Sequence, residues 1–84
     1  MAKMDERSRE LIAVGAAVTA NCLPCLEYHV GKAREVGAAA DEIGEAIEVG
    51  RTVRKGAAAK LDRLSATLTE PAATPPVTQG CGCS

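Results

Sequence analysis

The chain of 84 residues predicts a small all-α protein with three helices and a C-terminal tail. Two observations carry that prediction. Apolar residues recur at three- and four-residue steps through segments 4–20, 22–37 and 39–68, the period of one helix face. No alternating polar and apolar run is long enough to argue for a strand.

The first helix spans about residues 4–20, with Leu11, Val14 and Val18 along its apolar stripe. Glu10, Val14, Ala17 and Asn21 share one edge of it, so a carboxylate borders the stripe. Asn21 is expected to cap the second helix, residues 22–37, where Pro24 is tolerated because first-turn amides have no intrahelical partner. On a helical wheel Cys22, Cys25, Leu26, His29, Val30, Ala33 and Val36 fall within one arc, which predicts that both sulfurs and the imidazole face the protein. Gly37 is the expected C-terminal stop.

The third helix, from 39 or 40 to 68, opens with Asp41, Glu42 and Glu45 and closes with Lys60 and Arg63, in line with the helix dipole. Ile43, Ile47, Gly50, Ala57, Leu61, Leu64 and Leu68 form its stripe, widened by Ala46, Val49 and Val53. Gly56 is expected to kink the helix or to allow close packing. Arg54 falls inside the stripe, so its stem should lie along apolar surface while the guanidinium reaches an acid or a subunit edge. After Glu70 the composition turns to Pro, Thr, Ala and Gly, which reads as a flexible, partly extended linker ending in Cys81-Gly82-Cys83-Ser84. The domain division is therefore 1–69, helical, and 70–84, tail.

Composition narrows the functional classes. One aromatic residue, Tyr28, and 16 alanines among the apolar residues leave a thin core. Each of the 15 Val, Ile and Leu before the tail contributes only about 1.5–3 kcal/mol when fully buried. Chains this small usually depend on staples, metals or partners, so self-association through Ala- and Gly-rich helices is expected. A formal net charge of −1 gives no electrostatic case for nucleic acid or an anionic membrane. Leu11–Ala20 is about half the length of a membrane-spanning helix, and the opening residues lack the apolar stretch of a secretory signal. The expected location is the cytoplasm.

Cys22-Leu23-Pro24-Cys25 is a dithiol that can close a small disulfide ring, and His29 stands one helical turn beyond Cys25. The chemistry needs a thiolate, and a free cysteine has a pKa of about 8.5. Two devices favour the anion: Cys25 lies in a first helical turn, and His29 can accept its proton directly or through a water. Glu10 would hold the imidazole in one tautomer and stabilise its protonated form. Cys22, nearer the helix entry, is expected to be the more exposed sulfur and to resolve a sulfenic acid on Cys25 into a disulfide. Thioredoxin-like chemistry is set aside because an Ala-rich helical stripe, not a strand, precedes Cys22.

These residues carry a family resemblance. Glu10, eleven residues, Cys22-Leu-Pro-Cys25, then Leu-Glu-Tyr and His29, continued by Lys32–Gly37 and Asp41–Ala46, resembles the AhpD-like alkylhydroperoxidase and carboxymuconolactone decarboxylase superfamily. The resemblance covers about Met4 to Arg54. It implies an all-helical antiparallel fold, assembly into dimers, trimers or hexamers, and thiol-dependent peroxide reduction with no cofactor beyond a redox-active disulfide. It also implies roles: Cys25 becomes the sulfenic acid, Cys22 donates a proton and closes the disulfide, and Glu10 and His29 relay protons. The partners implied are a peroxide or disulfide substrate and an external thiol reductant. Relatives that decarboxylate a lactone generally lack the cysteine pair.

Ala39 stands where the family usually has a hydroxyl cap, and Cys81-Gly82-Cys83 is no part of its signature. Those last thiols could serve as an auxiliary electron shuttle, or be incidental. Two rival functions stay open: a soft-metal site for Zn²⁺ or Cu⁺ built from Cys22, Cys25, His29, Cys81 and Cys83, and a non-catalytic helical assembly module.

Overall fold

The computed structural model describes residues 3–71, which form three helices: α1 (Glu6–Thr19), α2 (Leu23–Glu35) and α3 (Ala40–Leu68). No strand occurs among the described residues. Asp5 caps α1, its carboxylate accepting the Ser8 amide at 2.9 Å. Ala39, at the N-cap of α3, has no side-chain acceptor to offer, and Glu42 supplies the return half of a capping box by accepting the Ala39 amide at 2.9 Å. The other oxygen of Glu42 meets Arg7 at 3.0 Å, which ties the opening turn of α3 to that of α1.

Both connections are Schellman turns. At the end of α1 the Cys22 amide donates to the Ala17 carbonyl and the Asn21 amide to that of Val18, with Asn21 at φ 58°. At the end of α2 the Ala38 amide donates to Ala33 and the Gly37 amide to Arg34, with Gly37 at φ 95°. Gly37 thus stops the helix as expected. Asn21 does not cap α2; it occupies the left-handed position that closes α1, a conformation asparagine tolerates better than most residues. The N-cap of α2 is Cys22.

α2 runs antiparallel to α1, and α3 returns parallel to it, since Arg7 meets Glu42 at one end and Asn21 meets Arg54 at the other. Val14 of α1, Ala33 of α2 and Ile43 of α3 form the buried cluster, with Leu11, Leu26, Val30, Ala38, Ala46 and Ile47 packed around it. α1 and α3 cross at two glycines. A β-carbon on Gly50 would fall against the Gly15 carbonyl oxygen and 2.9 Å from the Val18 β-carbon, so only glycine allows this approach. The Thr19 hydroxyl lies 3.1 Å from the Gly15 carbonyl and 3.0 Å from that of Gly50, sealing the crossing.

Close packing therefore occurs at Gly50, whereas Gly56 has open space around it and lies within an unbroken α3. Arg54 is half-buried as its position requires, and its guanidinium meets no acid among the described residues. Its guanidinium donates to the Val18 carbonyl at 3.2 Å and to the Asn21 side-chain oxygen at 3.0 Å, placing a cation at the negative end of α1. Val49 and Val53 before Arg54, and Leu61, Leu64 and Leu68 beyond it, are each more than half exposed, and α3 past Arg54 has no cover among the described residues. No helix among the described residues is long and apolar enough to cross a membrane.

Candidate functional site: a disulfide beside a histidine–glutamate pair

Cys22 and Cys25 are joined by a disulfide, with α-carbons 5.3 Å apart. The Schellman turn brings the chain out of α1 at Cys22 in an extended conformation, and α2 begins one residue later. The Cys22 sulfur accepts the Cys25 amide at 3.3 Å, so it sits where the unpaired amides of the α2 N-terminus converge. Pro24 lies in the first turn and has no amide to leave unpaired.

The exposure of the two sulfur residues is opposite to the sequence expectation. Cys22 is half-buried and Cys25 is exposed. The reason is local: Cys22 lies in the corner between α1 and α2, whereas the first turn of α2 extends past the packed cluster, which α2 joins only from Leu26 onward. The helical wheel placed Cys25 on the inward arc of α2, but it carried no information on where α1 ends and which residues it covers.

His29 lies one turn beyond Cys25, half-buried on α2, and its Nδ1 is 2.7 Å from Glu10 Oε1 on α1. This contact spans 19 residues of sequence and joins two helices. Tyr28 meets the imidazole edge-on with ring centroids 4.9 Å apart, and Lys32 lies 6.0 Å above the tyrosine ring. Glu35, 3.5 Å from the Lys32 ammonium, together with Tyr28 holds that ammonium above its ordinary pKa. A carboxylate on one imidazole nitrogen sets the tautomer and leaves Nε2 to exchange protons. The four predicted residues thus fall into two joined pairs, Cys22 with Cys25 and Glu10 with His29, and His29 follows Cys25 by one turn of α2.

Arg54 was legible as an oddly placed cation, but its contact with Asn21 and its role in bracing the corner before Cys22 were not. A signal was present in Asn21 itself, a residue suited to left-handed helix ends. A surface depression of about 390 Å³ is lined by Glu48, Arg51, Thr52, Arg54, Lys55 and Ala58, and includes none of the four predicted residues. Among the described residues no group of three or more His, Cys, Asp or Glu side chains gathers to hold a metal. Cys81 and Cys83, which the metal reading also invokes, lie outside the described residues.

The profile of the carboxymuconolactone decarboxylase family matches residues 2–69. The chain belongs to the carboxymuconolactone decarboxylase family. A relative from Paracoccus denitrificans, described as "Uncharacterized protein 4 in cox locus", is 43% identical over 68 residues, covering 80% of this chain and 61% of that protein. The chain thus spans about three fifths of the length of that relative. No solved structure gives a significant match. The matched region of this family member takes in the whole α1–α2 corner and all of α3.

Proposed function

We propose that this family member is a thiol-dependent peroxidase or disulfide oxidoreductase that cycles Cys22 and Cys25 between dithiol and disulfide. The observation that carries the reading is the 2.7 Å contact between His29 Nδ1 and Glu10, one helical turn from an exposed Cys25. In the reduced chain, His29 takes the Cys25 proton through Nε2, directly or through a water, while Glu10 stabilises the imidazolium. The Cys25 thiolate attacks the terminal oxygen of a hydroperoxide. The O–O bond breaks, Cys25 becomes a sulfenic acid, and the departing alkoxide takes the proton held on His29. Cys22 then attacks the Cys25 sulfur, the S–O bond breaks, and water leaves as the disulfide closes. An external dithiol returns two electrons and two protons and is itself oxidised to a disulfide.

Exposure supports this division of labour. Cys25 is the sulfur a substrate can reach, and Cys22, with the Cys25 amide donated to it, is the better leaving thiolate when a reductant attacks Cys25. Consumption of an organic hydroperoxide by the dithiothreitol-reduced chain tests the assignment. Cys25→Ser should abolish turnover, and Cys22→Ser should allow one turnover that stops at the sulfenic acid. Undiminished peroxide consumption by Cys25→Ser would remove the catalytic reading and favour an assembly module.

We further infer that the functional unit is a homo-oligomer. The support is the uncovered apolar stripe of α3, which includes Leu61 at 63% and Leu68 at 64% exposure, beside only five buried apolar residues among those described.

A further inference from the structure

Cys81-Gly82-Cys83 is a dithiol that the proposed catalytic cycle leaves unused, and the register of α3 sets how far it must travel to meet Cys25. Arg54 is bonded to Asn21, the residue before Cys22, so α3 passes the disulfide corner at Arg54. From there to Leu68 the helix runs 14 residues farther, about 21 Å at 1.5 Å per residue. The return path is that overhang plus a helix-to-helix separation of about 8–10 Å. The 13 residues from Leu68 to Cys81 have an extended length of about 43–47 Å, which exceeds the path. The corner also presents its sulfurs unequally: an incoming thiolate meets exposed Cys25, and Cys22 departs toward the amide at the α2 N-terminus.

We propose that Cys81-Gly82-Cys83 is a second dithiol that exchanges with the Cys22–Cys25 disulfide of the same molecule and passes to it the electrons of an external dithiol. The thiolate of Cys81 or Cys83 attacks the Cys25 sulfur, the Cys22–Cys25 bond breaks, and Cys22 leaves as thiolate. The other tail thiolate then attacks the tail sulfur of this mixed disulfide and releases Cys25. Cys22 and Cys25 gain two electrons and two protons, and the tail becomes the Cys81–Cys83 disulfide. An external dithiol reduces that small ring in turn, and reoxidation of Cys22 and Cys25 by substrate draws the transfer forward. This inference rests on the redox cycling proposed for Cys22 and Cys25.

Two measurements on the full chain test it. Mild oxidation of Cys22→Ser with diamide should leave the denatured protein at monomer mass without reductant, and digestion and mass spectrometry should then yield a peptide joining Cys25 to Cys81 or Cys83. A Cys25 that links only between chains, giving a dimer mass without reductant, overturns the proposal. In the second measurement, dithiothreitol reduction of the Cys22–Cys25 disulfide is followed by alkylation and mass. It should be about tenfold slower in Cys81→Ser/Cys83→Ser, because a tethered thiol acts at millimolar effective concentration. Equal rates in the two chains overturn the relay and leave the cycle standing, whereas a disulfide that resists the dithiol in both overturns the cycle itself.

Discussion

The role proposed for His29 rests on a contact that neither neighbouring turn supplies. Its Nδ1 is engaged by a carboxylate from another helix, 2.7 Å away. The remaining ring nitrogen is the one that can serve a sulfur on the same face of α2. His29→Ala is expected to slow iodoacetamide alkylation of reduced Cys25 near neutral pH and to shift its pH profile upward. Superimposable profiles for the two chains would refute the relay. Asp5 gives a residue-scale test of stability. The Ser8 amide, donating at 2.9 Å, holds its carboxyl below the ordinary value of 3.8. A lowered folded-state pKa contributes stability that is complete above the unfolded value and lost as pH falls through the folded one. The Ser8 amide should therefore lose protection from hydrogen exchange only below about pH 4, and Asp5→Asn should flatten that dependence. Ser8 protection that stays constant through that range in the unaltered chain would sink the capping account.

At the scale of elements, the position of the sulfurs depends on how α1 ends and how closely α3 passes it. Asn21 in the left-handed conformation turns the chain, Arg54 braces it from α3, and Cys22 emerges at the N-cap of α2. The Gly15–Gly50 crossing sets that register, because nothing larger fits against the Gly15 carbonyl. Gly50→Ala should force the helices apart and lower the unfolding free energy by about 1–3 kcal/mol in urea titration. Gly56→Ala, in open space, should instead be neutral or slightly stabilising through helix propensity alone. Equal effects at the two glycines would show that propensity, not the crossing, governs both.

The whole molecule is a small core carrying a long helix. Val14, Ala17, Val18, Ala33 and Ile43 are its buried apolar residues among those described, while the second half of α3 has no partner among them. That disproportion is what a core shared between subunits would relieve. Leu61→Lys/Leu64→Lys should convert an oligomer to monomer in sedimentation velocity and reduce thermal stability together with assembly. A wild-type chain that sediments as a monomer at high micromolar concentration would remove the oligomer proposal. Truncation after residue 71 should leave assembly unchanged, since the stripe ends at Leu68.

The three helices and the stop of α2 were legible because each depends on spacings within one segment: Leu11, Val14 and Val18 in one stripe, Gly37 past the end of α2, and apolar steps through α3. Glu10, Cys22, Cys25 and His29 were legible as a set for the same reason, with their offsets read against a family pattern. Tertiary structure decided what spacing cannot encode. It assigned Asn21 to the end of α1 instead of the start of α2, gave Arg54 the Val18 carbonyl and the Asn21 side-chain oxygen as acceptors, and left Cys25 exposed with Cys22 half-buried. Periodicity fixes the angle of a side chain around its own helix axis. Where a neighbouring helix stops, and which side chains it covers, depends on packing between segments far apart in the chain.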